Sequence, residues 1–373
     1  MKNLGYMLFL AFGLVACGGG GATTSNDANT TPKPLIDSSL LYDGKKAKLQ
    51  DPYRQYLWHI EAPTNRTFGY NYAIAKDSSA NVAKAWEITK GEGVLIAIID
   101  NGFDVNHEDL KDNIVLTYSV VNENSEILSE ELGTHGTAVA GIVAAVSNSV
   151  GTIGVAPKAK IVLIQDSQLT TDADTLKAFE YAQKSGARVI NCSWGTNNVS
   201  DAVAHKIKEL YDEGIVVVFA SGNDGYSLDR YGIDDESELA FVLGVGSSSE
   251  SNTRSSYSSY GDSIDILAPA GERIGIVATD DYGTHQLGLR EGMLENGYTF
   301  FSGTSASAPI VSGVVALMLS VNPDLTPKEV REIIITNAQK IGGVEYIAGW
   351  NRQYAYGKID AYKAVLAARE YKK

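Results

Sequence analysis

The sequence predicts an α/β fold, a mostly parallel sheet with helices on both faces. Short β-branched apolar runs alternate with helical patterns, several runs lack polar alternation so that both faces must be covered, and 373 residues can bury a large core. The runs at Val94–Ile99, Val189–Asn191, Ile215–Ala220 and Phe241–Val245 read as strands. Helical patterns occupy Thr137–Val146, Thr175–Ser185 and Ser200–Glu213, then Ser307–Val321, Pro327–Asn337 and Asp360–Tyr371. Asn322-Pro323 stops one helix, and Thr326 caps the next ahead of Pro327. Strand-helix-strand order implies right-handed crossovers, with sites at the carboxyl ends of strands. One domain is expected from about residue 51 to the end.

A formal net charge of −14, with no Lys/Arg run longer than two, leaves no electrostatic footprint for nucleic acid or for direct binding to an anionic membrane surface. Protein or small-molecule substrates remain. Two cysteines, Cys17 and Cys192, are too few for a disulfide framework, so the core must hold itself.

The N-terminus has a charged start, Met1-Lys2-Asn3, and an apolar stretch from Leu4 to Ala16 that is too short to span a bilayer, which is the pattern of an export signal over residues 1–16. Leu14-Val15-Ala16-Cys17 resembles the lipobox of bacterial lipoproteins, in which cleavage precedes a lipidated cysteine. The resemblance implies that Cys17 carries acyl chains and that the protein is held to a membrane of the bacterial cell envelope. Residues 17–50 begin with a Gly/Ser/Thr/Asn/Pro-rich stretch and read as a flexible tether of about 30 Å root-mean-square span.

Three segments stand out at expected strand or helix ends. Asp100 follows directly on Ile96-Ala97-Ile98-Ile99. His135 lies in Gly133-Thr134-His135-Gly136-Thr137, where small neighbours leave an imidazole approachable. Ser305 sits in Ser302-Gly303-Thr304-Ser305-Ala306-Ser307-Ala308-Pro309, at the start of an apolar helix whose free N–H groups favour negative charge. Singly, these are a strand-end carboxylate, a core histidine and an N-cap serine. Together, in the order Asp, His, Ser, they resemble the subtilisin-like serine proteases, from Asp51-Pro52 to Tyr356–Tyr362.

That resemblance implies a three-layer fold and an endopeptidase acting on proteins or peptides, expected to be monomeric. Ser305 would be the nucleophile, His135 its general base and then acid, and Asp100 the group that fixes the imidazole. Ala220-Ser221-Gly222-Asn223 matches the segment carrying the oxyanion-hole asparagine, so Asn223 and the Ser305 backbone N–H would receive the developing charge. Ser193, Trp194 and Gly195 match a substrate-binding strand. A calcium site is implied at Asp51, Asp109, the Asn148 side chain and the carbonyls of Val146, Val150 and Thr152, a hard oxygen set with two carboxylates. Cys192 reads as a small buried hydrophobe, and His59, His107, His205 and His285 as ordinary histidines.

Departures from the family pattern are equally specific. Asn101 replaces the usual Ser, Thr or Asp. Only tether residues precede Asp51, so no pro-domain is expected. Cys192–Gly195 and Gly303–Pro309 are similar to the kexin branch, but Thr196-Asn197-Asn198 replaces its acidic stretch and that branch's C-terminal P-domain is not expected after Lys373. Counting back from Leu243 places Asp234 where kexin-like enzymes hold an acidic pocket residue, which would pair with Arg or Lys at P1. The competing functional expectation is an inert binding lipoprotein on the same fold.

Overall fold

A computed structural model describes residues 51–62, 73–127, 133–166, 171–230, 234–281, 294 and 297–372. Cys17, the signal segment, the tether and His285 lie outside the described residues.

Seven parallel strands form the main sheet in the order β2-β3-β1-β4-β5-β6-β7: β1 (Leu95–Asp100), β2 (Ile114–Ser119), β3 (Lys160–Gln165), β4 (Val189–Cys192), β5 (Val216–Ala220), β6 (Leu243–Ser248) and β7 (Ile266–Pro269). An antiparallel pair, β8 (Ile276–Thr279) and β9 (Tyr298–Phe301), stands apart. The helices are α1 (Val82–Ala85), α2 (Gly133–Ala144), α3 (Asp172–Ser185), α4 (Asp201–Asp212), α5 (Thr304–Val321), α6 (Pro327–Thr336) and α7 (Ala361–Glu370). The predicted class holds, and all four predicted strands exist with ends shifted by at most three residues.

Five strands escaped the sequence reading. Edge strand β2 is half-buried without clean alternation, and β3 confines its apolar run to Ile161–Ile164 between Lys160 and Gln165. Strands β7, β8 and β9 have four residues each, too few for a period to register. Helix α6 opens with the capping box of Thr326 and Glu329, as the Thr-Pro signal indicated.

Pleating divides the core. Ile96 and Ile98 of β1 face one cluster with α2 and α5, while Leu95, Ala97 and Ile99 face the other with α3 and α4. Helix α5 is apolar and long enough to cross a membrane, but 83% of it is buried inside the domain, so it is the central core helix. It carries Pro309, which has no N–H to offer the carbonyl four residues back, that of Ser305. The strand order reverses at β1, which has β3 on one side and β4 on the other, so the crevice of such sheets opens where β1 ends at Asp100.

Candidate active site

Asp100 closes β1 and is 3% exposed. Its Oδ1 accepts a hydrogen bond from His135 Nδ1 at 2.8 Å and from the Asn101 N–H at 2.9 Å. His135 stands in the first turn of α2, and the Phe301 ring meets it edge-on at 5.3 Å. Burial alone would lower the imidazole pKa, but the adjacent Asp100 charge and hydrogen bond outweigh it and raise the value above the ordinary one. Beside them Asp166 donates its N–H to the Asp100 carbonyl, and burial followed by the Asp100 charge pushes its carboxyl up to about 8. Asn101 Oδ1 and Asp100 Oδ2 are both buried without hydrogen-bond partners among the described residues.

Ser305 is the second residue of α5. Gly303 caps that helix at φ +98, a conformation L side chains avoid, and a Cβ there would press on Asn223 at 3.4 Å. Asn223 Oδ1 accepts from the Thr304 N–H at 2.8 Å and the Thr304 hydroxyl at 3.1 Å. The amide oxygen is thereby fixed, and no described residue accepts from Nδ2 or from the Ser305 N–H. These are the two donors an oxyanion needs. Thr304 was not singled out from sequence, although its place between Gly303 and Ser305 was the available signal.

The Ser305 hydroxyl donates to the Ser193 carbonyl at 3.0 Å and makes no described bond to His135; catalytic hydrogen bonds of this kind tighten when substrate binds. In return the Ser193 hydroxyl donates at 2.9 Å to the Ser305 carbonyl, the one Pro309 leaves without its helical donor. Asn191, held by the Ser312 hydroxyl at 2.8 Å, donates to Ser193 Oγ at 3.0 Å. A buried chain thus joins α5 to the strand beside it.

A cavity of about 120 Å³ opens next to Ser305. Ser193, Trp194 and Gly195 form one wall, Ala220, Ser221 and Gly222 the other, with Asn223 and Thr304 at the mouth. All the substrate-binding residues expected from sequence line it except Asp234. That residue is turned into the loop, its N–H on Glu238 Oε2 at 3.1 Å, and the pocket carboxylates are Asp224 and Asp235. The register count fails by one because residues 235–238 coil into a short turn that Asp235 caps, a feature invisible to counting along an extended chain.

The loop expected to hold calcium is present, with its oxygens unequally disposed. Asp109 is fully buried, one oxygen accepts from the Thr152 N–H at 2.8 Å and the Tyr298 hydroxyl at 3.0 Å, and the other has no partner among the described residues. Burial pushes this carboxyl up to about 7. No described residue donates to the carbonyls of Val146, Val150 and Thr152, and Asn148 Oδ1 accepts only from the Val150 N–H at 2.8 Å. These oxygens suit a hard cation. The Asp51 carboxylate accepts from the N–H groups of Asn148 and Ser149, both at 2.9 Å, and from the Ser147 hydroxyl at 3.0 Å, so it braces the loop as well.

Cys192 is a buried free thiol whose pKa burial raises, consistent with its inert reading. His59 is buried, which lowers its pKa to about 3; His107 accepts the Asp109 N–H and faces the Gly297 carbonyl; His205 lies on the Asp201 carbonyl.

Residues 91–357 match the model of the subtilase family of peptidases. The chain belongs to the subtilase family. This subtilase is 32% identical over 352 residues to a calcium-dependent protease of Trichormus variabilis, covering 83% of this chain and 51% of that protein. It is 32% identical to thermitase of Thermoactinomyces vulgaris over 286 residues, 76% of this chain and 92% of that one. Among solved structures, a protease of Pseudoalteromonas arctica superposes with a TM-score of 0.70 at 28% identity, covering 86% and 99% of the two chains. The subtilase spans about half the length of the calcium-dependent proteases it matches.

Proposed function

We propose that the protein is a serine endopeptidase that hydrolyses peptide bonds through an acyl-enzyme on Ser305. The observation that carries this reading is the joint geometry of the Asp100–His135 bond and the two open donors, Asn223 Nδ2 and the Ser305 N–H, at the mouth of one cavity. Neutral His135 takes the Ser305 proton during attack and returns it to the leaving amine, while Asp100 holds the tautomer and stabilises the imidazolium. An extended peptide lies along Ser193–Gly195, with its P1 side chain in the cavity. An inert binding module gains no support, since Asp100, His135, Asn223 and Ser305 are all present in the chain. A fluorophosphonate probe should label the wild type on a single serine and fail to label Ser305→Ala; equal labelling of both proteins would reject the assignment.

Calcium would be held by Asp109, Asn148 and the carbonyls of Val146, Val150 and Thr152, and would fasten the loop that follows α2. Ion binding to the native state raises stability by mass action. Chelation should lower the melting temperature of the wild type, and Asp109→Ala should lose that response; a melt indifferent to both chelator and added calcium would remove the site.

Lipidation at Cys17 would hold the enzyme to the cell envelope. Cys17→Ser is expected to leave the membrane fraction or stall in processing, and unchanged membrane association would count against the anchor.

A further inference from the structure

We propose that Tyr257 is a positioning residue for both oxyanion donors: its hydroxyl fixes the backbone just ahead of Ser305, while the turn that carries it fixes the backbone just ahead of Asn223. The proposal rests on the endopeptidase reading and adds a residue to that machinery.

The start of α5 presents three successive N–H groups to its surroundings. That of Gly303 donates to the Tyr257 hydroxyl at 3.1 Å and that of Thr304 to Asn223 Oδ1 at 2.8 Å, while that of Ser305 has no acceptor among the described residues. The open donor is therefore aimed by the two that precede it. Gly303 also packs against Asn223, so closely that a Cβ there would lie 3.4 Å from Oδ1. A displaced Gly303 accordingly disturbs the Ser305 N–H and the Asn223 amide together.

The turn that carries Tyr257 reaches the second donor by another route. Tyr257 lies in the connection between β6 and β7, in a turn closed by the Ser258 N–H on the Ser255 carbonyl at 3.0 Å. Two residues further on, the Ser259 N–H donates to the Gly222 carbonyl at 3.0 Å, and the Ser259 carbonyl accepts from the Ser221 hydroxyl at 3.0 Å. Ser221 and Gly222 are the two residues before Asn223. One short segment, Ser255 to Ser259, thus holds the backbone leading into each donor.

Proton accounting singles out the Tyr257 hydroxyl within that segment. A phenol has one O–H to donate and can accept two hydrogen bonds. It donates to the Gly271 carbonyl at 2.5 Å and accepts from the Gly303 N–H and from the Ser247 hydroxyl, the latter at 2.8 Å. Without the phenol oxygen, two of these three partners are still served. Ser247 Oγ lies 3.0 Å from Ser255 Oγ, and the Gly271 carbonyl also accepts from the Ser255 hydroxyl at 3.0 Å. Only the Gly303 N–H loses its one described acceptor, so Tyr257→Phe loosens the front of α5 in particular. Oxyanion donors act in the transition state, and a misaimed donor costs kcat while sparing KM.

Steady-state kinetics on the full-length protein, with active sites counted by fluorophosphonate titration, test this. Tyr257→Phe should lower kcat per titrated site by about ten-fold and leave KM within about two-fold. Binding of a peptide boronic acid, whose tetrahedral adduct on Ser305 places an oxygen in the oxyanion position, should weaken by a similar factor. Ser247→Ala, which leaves Gly303 on Tyr257, should stay within about two-fold of wild type in kcat. In an Asn223→Ala background the Tyr257→Phe loss should shrink to about three-fold or less, because one of the two donors it aims is already gone. A Tyr257→Phe protein with a lowered melting temperature but full kcat per titrated site overturns the proposal in favour of a purely structural role. A loss confined to KM, an equal loss in Ser247→Ala, or a Tyr257→Phe loss identical with and without Asn223 overturns it too. In each of these cases the wild type still labels and cuts, so the endopeptidase reading survives; a wild type that neither labels nor cuts any peptide overturns that reading and this inference with it.

Discussion

His135→Ala is expected to lower kcat by about 10⁶ with little change in KM, and Ser305→Ala by a similar factor, with the double variant no worse than either alone, because base and nucleophile act as one unit. On the proposed mechanism His135 takes the serine proton, and its Nδ1 is bonded to Asp100 at 2.8 Å. Stopped-flow acylation with a chromogenic peptide ester would measure the loss directly. A double variant whose deficit equals the product of the single deficits would show that the two residues act independently. The same imidazole sets the pH dependence. The base must be neutral, and Asp100 raises its pKa above the ordinary value, so the acid limb of kcat/KM should fall at a pH above the ~6.5 of an unperturbed histidine. An inflection at or below that value would contradict the ion-pair geometry.

Asn223→Ala should cost about 10²–10³ in kcat while KM stays within a few-fold, since a donor aimed at the oxyanion acts in the transition state and hardly at all on bound substrate. The structure gives a particular reason to expect the upper part of that range. Thr304 grips the amide oxygen through both its N–H and its hydroxyl, so Nδ2 needs no reorganisation when charge develops. Steady-state kinetics on one peptide substrate decide the matter; a rise in KM with kcat intact would reassign Asn223 to ordinary substrate binding.

The chemistry was more legible in the sequence than the architecture was. Asp100, His135, Asn223 and Ser305 each sit in a short, distinctive local context, and a contiguous motif survives folding unchanged. Strands such as β7 and β9 carry too few residues for any period to show, and β2 is half-buried at an edge, so its pattern is blurred. Pocket residues were legible where they belong to those motifs, as in Ser193–Gly195 and Ala220–Gly222. Asp235 was missed by one position because a capped turn intervenes, and the bracing of the loop by Asp51 through the N–H groups of Asn148 and Ser149 was not anticipated. Both concern which groups meet a carboxylate in three dimensions, which residue identity alone does not resolve.

The proline in α5 has a consequence for how the site around Ser305 tolerates disturbance. With Pro309 unable to serve the Ser305 carbonyl, the helix start is fastened to its surroundings by the Ser193 hydroxyl, and Ser193 directly follows β4 in the segment proposed to bind the peptide. On the proposed function, substrate grip and nucleophile would therefore share one mechanical frame, a shift in either carrying the other with it. Alignment becomes a single degree of freedom: mild denaturant or heat should degrade peptide affinity and acylation rate in step, where an enzyme with separately mounted parts would lose one well before the other.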